Sequence, residues 1–289
     1  MATLRDIRTR IASVKSTRQI TSAMKMVAAA KLRRATEAAT SARPFQETLT
    51  TTIKRVAGGA GDIEHPLLTS RAEVKNVVVV VVGSDRGLCA GFNSNRDRRV
   101  EDFIKTLKSQ GKTVSIRTFG KKARDFLKNR GMESENLNGI TNAIYQETAS
   151  ALADKLTTGF EAGEFDEAYL CFNKFKSVLT QEPTTLKVLP LSIEAAADGG
   201  ATTASVDYKY EPDGASILGT LLPLYLKTIL LQSFLETEAG EHASRMTAMD
   251  SATRNASDLI DRLTIEYNRS RQAAITKELI EIISGAEAL

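Results

Sequence analysis

Tryptophan is absent, and cysteine and histidine occur only as Cys89, Cys171, His65 and His242. Two cysteines this far apart give no disulfide framework and fit a reducing compartment. Neither histidine has a second Cys or His at ligand spacing, so no metal site is expected. The same poverty leaves no credible Ser/His/Asp or Cys/His set, and no catalytic residue or cofactor site is assigned. Glycine and proline are scarce at both ends: residues 1–57 hold no glycine and only Pro44, and residues 241–284 hold neither. As a helix, that second stretch would span about 66 Å at about 1.5 Å per residue. A helix so long needs another long helix, or a partner, around it. No apolar signal core follows Met1. The basic, acid-poor start has the composition of a transit peptide, but its pattern runs unbroken into a long helix and is read as structure.

What is present is an ordinary folded composition: 289 residues, 42% apolar and 26% charged, enough for one large domain or two smaller ones. The charge is uneven. Residues 1–56 carry twelve Lys/Arg against three Asp/Glu, and residues 213–289 carry seven against eleven. The two ends either pair with each other or meet partners of opposite sign. Ile217 to Leu235 is apolar enough to resemble a membrane span. Its central Lys227 would cost about 2.5–3.5 kcal/mol on insertion, and Gly219 and Pro223 interrupt it, so a buried helix is expected.

Leu4, Ile7, Ile11 and Val14 fall on one helical stripe. Ile20, Met24 and Val27 read as its continuation with a shifted phase. This predicts one long helix over 1–57, with Pro44 as the place for any bend, ended by Gly58 and Gly59. At the other end Met246, Met249, Thr253, Ala256, Ile260, Leu263, Tyr267, Ser270 and Ala274 repeat in steps of three and four, a heptad seam. Its Thr, Ala and Ser positions imply close but modestly sticky packing. The middle is different. Six valines, Val77 to Val82, read as a fully buried parallel strand. Strands at 113–119, 168–175 and 185–191 alternate with helices to about Gln110, over 120–129 and over 141–162, and 195–206 is a loop. The predicted fold is a long antiparallel coiled coil of N- and C-terminal helices (1–57 and 213–289). Inserted in it is a doubly wound, Rossmann-like α/β domain (75–193).

Gly83 to Gly91 follows the valine strand but fails the phosphate-loop template, because no Lys-Ser/Thr follows its last glycine. Gly87 and Gly91 are expected to let the strand turn tightly into a helix. Glu236 and Glu238 read as solvated helix surface.

Three segments in order resemble the gamma subunit of F-type ATP synthases, of bacterial type. They are Arg5-Asp-Ile-Arg through Gln19-Ile-Thr-Ser-Ala-Met-Lys-Met-Val-Ala-Ala-Ala-Lys31, Gly83-Ser-Asp-Arg-Gly-Leu-Cys-Ala-Gly-Phe-Asn93, and Asn268-Arg-Ser-Arg-Gln-Ala-Ala-Ile-Thr-Lys-Glu-Leu-Ile-Glu-Ile-Ile-Ser-Gly-Ala286. The resemblance spans nearly the whole chain. Ala90 departs from it where many relatives carry a second glycine, and no cysteine-bearing regulatory insert of the thiol-switched chloroplast type is present. The resemblance implies a non-catalytic rotor, peripheral to the cytoplasmic face of the bacterial membrane. Its implied partners are the α and β catalytic subunits, the ε subunit and the c-ring proteolipids.

It also implies contacts with the catalytic subunits by Met24, Lys25, Arg245, Arg254, Asn255, Gln272, Thr276 and Glu278. Read without it, Met24 and Lys25 are a coiled-coil methionine beside a solvated lysine, and the others are polar helix surface. Arg254 suits an interface through its planar fork of five donors. Tyr208, Tyr210 and Glu211 are implied foot contacts to the proteolipid ring, and tyrosine suits an interface by being large and amphipathic. A second reading, nucleic-acid binding by the basic N-terminal helix, lacks stacking aromatics, since Phe45 is the only one in 1–56. A nucleotide-using α/β enzyme is the third, and the loop argues against it.

Overall fold

The computed structural model describes residues 3–59, 65–137, 145–191 and 213–287. The chain divides into two compact units, Met1–Ala29 with Arg245–Leu289, and Ala30–Ser244. Helices α1 (Leu4–Gly59) and α5 (Gly214–Glu287) contribute to both.

In the first unit α1 begins on a reciprocal cap: the Thr3 amide donates to Asp6 Oδ2 at 2.9 Å and the Asp6 amide to Thr3 Oγ1 at 3.3 Å. The α5 seam packs where the heptad pattern places it. Met249, Ala256, Ile260 and Leu263 are buried, and the other five positions are half-buried. On α1, Ile7 is buried with Leu4, Ile11 and Val14 half-buried. The expected phase shift does not occur. Ile20 and Val27 are 57% and 58% exposed, while Thr21 and Ala28 are buried. The three-four spacing simply continues through small and polar residues, one position away from the more apolar side chains that suggested the shift. Thr253 Oγ1 meets Thr21 Oγ1 at 2.8 Å, and Lys25 Nζ meets Asp250 Oδ1 at 2.5 Å. As residue numbers fall on one helix they rise on the other, so these segments run antiparallel.

The second unit holds a five-stranded sheet in the order β3-β2-β1-β4-β5. Its strands are β1 (Asn76–Val82), β2 (Thr113–Phe119), β3 (Glu135–Asn136), β4 (Glu167–Phe175) and β5 (Gln181–Leu189). The valine strand β1 lies centrally, parallel to both β2 and β4. Alternate valines feed two cores, as a period of two requires. Val77, Val79 and Val81 pack with Ile104 and Leu107 of α2 (Phe92–Ser109) and Leu127 of α3 (Lys121–Asn129). Val78, Val80 and Val82 share the other core with Leu152, Leu156 and Phe160 of α4 (Tyr145–Glu161). That core also takes Leu49, Ile53 and Val56 of α1, and Leu218, Leu222, Leu226, Leu230 and Phe234 of α5. The helix long and apolar enough to cross a membrane therefore turns Leu218, Leu222, Leu226 and Leu230 into this core, while Leu224 stays 38% exposed. Lys227 Nζ reaches Asp154 at 2.9 Å.

Three expectations change. The last strand begins at Gln181 and ends at Leu189, not 185–191, and is antiparallel to β4. Residues 176–180 close a tight hairpin, with the Lys176 amide on Thr180 O at 3.2 Å, which leaves no room for a crossover. Strand β3 was not foreseen; two residues carry no periodicity. Glu236 is not solvated surface: it is 5% exposed, and its carboxylate accepts from Gln232 Nε2 at 3.0 Å and the Phe175 amide at 3.4 Å. Glu238 is likewise half-buried, 3.7 Å from His242. The 141–162 helix is described from Tyr145, and the 195–206 loop lies outside the described residues.

The loop after β1 also differs in where its strain lies. The left-handed backbone falls at Leu88 (φ 61°) and Ala90 (φ 46°), not at Gly87 or Gly91. Gly91 caps α2 with φ −81°. A Cβ in this region costs about 1–2 kcal/mol. Ala90→Gly is therefore expected to stabilise the second unit by about 0.5–1 kcal/mol after the entropic cost of glycine. A thermal melt that fell instead would mean the methyl group makes a contact outweighing the strain.

Cys171 on β4 is 1% exposed. Burial pushes its thiol up to about 11, against a weaker pull from the Thr185 hydroxyl 3.6 Å away. It stays protonated near neutral pH, where the thiolate is the nucleophile. Iodoacetamide at pH 8 is expected to leave Cys171 unmodified until the chain is unfolded. Rapid native-state alkylation would show that β4 and β5 open.

Candidate partner-contact site

Two clusters lie in the first unit. In the first, Lys25 of α1 donates to Asp250 Oδ1 of α5, and Arg254, one turn further along α5, closes on Asp250 Oδ2. The hydrogen bond from Lys25, then that from Arg254, hold the Asp250 carboxyl below the usual carboxylate range. The stability this pairing adds is present above the ordinary Asp value of about 3.9 and is lost as pH falls through the lowered one. Two cations against one carboxylate leave the group positive. Arg254 is 73% exposed at its side chain, Asn255 beside it is exposed, and Met24 is half-buried. Arg245 is buried at 8% exposure rather than surface-lying.

The second cluster begins about 27 Å further along α5, at about 1.5 Å per residue. Gln272, Thr276 and Glu278 are all exposed, and Thr276 Oγ1 turns back to Gln272 O at 3.0 Å. Around them Ile275, Leu279, Ile280, Ile282 and Ile283 are 49–72% exposed. A run of exposed apolar side chains on one helix end is more than the scattered surface hydrophobics of an ordinary solvated helix. Tyr208, Tyr210 and Glu211 lie outside the described residues.

The geometry thus joins Lys25 and Arg254, which the sequence put forward separately, through Asp250, which it did not. The four-residue spacing from Asp250 to Arg254 is the signal that identifies it. Among the described residues no group of His, Cys, Asp and Glu is placed to hold a metal ion.

A family profile described as ATP synthase matches residues 3–289. The chain is 46% identical to the ATP synthase gamma chain of Pelotomaculum thermopropionicum, covering all of both chains. It is 46% identical to that of Rhizobium rhizogenes, again over all of both. The chain belongs to the ATP synthase gamma-chain family. Solved structures agree in fold. The chain matches one in the Euglena gracilis mitochondrial ATP synthase, in its OSCP/F1/c-ring structure, with TM-score 0.68 and 20% identity, covering 99% of this chain and 94% of that one. A match in the Tetrahymena thermophila central stalk and c-ring structure has TM-score 0.56 and 24% identity, covering 81% and 99%. The nucleic-acid reading of the basic N-terminal helix finds no support in these relatives.

Proposed function

We propose that the chain is the central rotor shaft of an F-type ATP synthase. It couples an ion-driven ring of c-ring proteolipids to a catalytic hexamer of α and β subunits and performs no chemistry itself. The segments 1–57 and 213–289 form an antiparallel coiled coil, the axle. The 75–193 segment is a Rossmann-like α/β domain inserted between them, and it bears on the ring and the ε subunit. The complex sits on the cytoplasmic face of a bacterial membrane, with this chain peripheral to it.

Met24, Lys25, Arg254 and Asn255 meet the catalytic subunits around the positive cluster on Asp250. Arg245, Gln272, Thr276 and Glu278 extend that contact along α5. Tyr208, Tyr210 and Glu211 serve as the foot on the proteolipids. The observation that carries this reading is the exposed apolar end of α5, in a chain that matches gamma chains over its full length. Ile275 to Ile283 gain about 25 cal/mol per Å² only when a partner removes them from water.

The test is co-expression with α and β subunits. The chain is expected to co-purify in an ATP-hydrolysing complex at one copy per hexamer. Deleting the residues after Tyr267 is expected to weaken coupling before it abolishes folding. A chain that stayed outside the complex, or bound nucleic acid in a salt-dependent way instead, would overturn the proposal.

A further inference from the structure

In an open α/β sheet ligands bind outside the carboxyl ends of the strands, where the strand order reverses. Here that place lies between β1 and β4, since β2 pairs on the far side of β1. It is bounded by the 83–91 loop, which fits no phosphate template. It is already filled by the chain's own helix. Glu236, Gly240 and Ser244 lie four residues apart and so share one face of α5. The Glu236 carboxylate accepts from the Phe175 amide, just where β4 ends. A Cβ on Gly240 would lie 2.9 Å from the Phe92 ring and 3.2 Å from Gln181 Cγ, so the helix backbone itself presses on the first residue of α2. Ser244 Oγ donates to Cys89 O at 2.7 Å, and Asn173 Nδ2 donates to Phe92 O at 3.1 Å, tying loop, sheet and α2 start together.

We infer that this face of α5 is the permanent occupant of the crevice, and that the 83–91 loop is a clasp through which the α/β domain grips the helix and passes torque to it. The mechanical half rests on the rotor reading, and the structural half stands without it. The clasp gives a structural task to a loop that follows a buried parallel strand yet fits no phosphate-loop template. Its carbonyl at Cys89 faces a serine where a dinucleotide fold would offer amides to a phosphate.

The test compares Ser244→Ala and Gly240→Leu with the unaltered chain in the assembled complex, in sealed vesicles. Two readouts are taken: amide exchange over 83–95, and ions pumped per ATP hydrolysed. Ser244→Ala is expected to speed exchange in the loop about five- to tenfold, the factor set by one ordinary hydrogen bond, while the β1 valines stay protected. Gly240→Leu is expected to do more. Both are expected to lower the pumping-to-hydrolysis ratio. Unchanged loop exchange in Ser244→Ala overturns the clasp. Faster loop exchange with an unchanged ratio in both variants overturns its role in torque. Should Gly240→Leu also expose β1, the milder variant decides alone. If the unaltered chain leaves pumping unaffected when omitted, the rotor reading fails, and loop exchange still judges the clasp.

Discussion

An alanine at position 120 is expected to destabilise the second unit by roughly 3 kcal/mol or more, from backbone strain and overpacking together. Gly120 sits between β2 and α3 with φ +90°, a region that L side chains rarely adopt. Its Cβ would lie 2.5 Å from Gly83 O and 2.6 Å from Gly83 C. Both are backbone atoms, and neither can swing aside. The two chains are also pinned there. The Gly83 amide donates to Phe119 O at 2.8 Å, the Lys122 amide to Ser84 O at 3.0 Å, and the Lys121 amide to Asp85 Oδ1 at 2.9 Å. Relief would have to break one of these. The check is amide exchange at Asn76–Val82 in Gly120→Ala, which should accelerate over a hundredfold, as a loss of that size implies. Unchanged protection would mean that the backbones at Gly120 and Gly83 can part without loosening β1.

Removing the guanidinium of Arg96 is expected to have a comparable effect. Arg96 is 1% exposed. Its Nε and Nη2 donate to Asp97 Oδ1 at 3.1 and 2.5 Å, and its Nη1 to Val82 O at 3.3 Å. Breaking a buried pair by taking one partner costs about 3–5 kcal/mol, because the other charge is left stranded. Burial pushes the Asp97 carboxyl up, and Arg96 pulls it back only in part. In Arg96→Leu that opposition is gone. A folded-state value raised above the unfolded one means a stability deficit that grows as pH rises past the ordinary carboxylate range. Melting of Arg96→Leu is therefore expected to fall further behind the parent at pH 8 than at pH 5. Adding Asp97→Leu should recover much of the loss. A pH-independent deficit, or no recovery in the double variant, would show that Arg96 acts by its packing volume instead.

What the sequence revealed depended on how far a pattern ran. The valine run and the α5 seam are long and strictly periodic, and both packed as read. The α1 stripe is legible as far as Val14 and then points to Ile20, Met24 and Val27 instead, because Thr21 and Ala28 carry the seam onward with little hydrophobic signal. The start of β5 is hidden in the sequence because Gln181, Glu182 and Thr184 are polar, Pro183 disfavours a strand, and the hairpin turn has no glycine. Nothing local separates the buried Arg96 from the neighbouring Arg98 and Arg99; only the fold does. The contact residues were named through resemblance, and spacing explains part of that. Gln272, Thr276 and Glu278 share adjacent turns, whereas the meeting of Lys25 with Asp250 joins positions 225 residues apart and is visible only in three dimensions.

That separation has a consequence for biosynthesis. At about 5–20 residues per second, roughly 10–45 s pass between the emergence of Lys25 from the ribosome and that of Asp250. Through that interval the stripe from Leu4 to Ala28 has no α5 segment to cover it. The nascent chain is therefore a substrate for chaperones and proteases at its beginning until its end has been made, and a ribosome stalled anywhere in the α/β domain leaves that beginning unprotected.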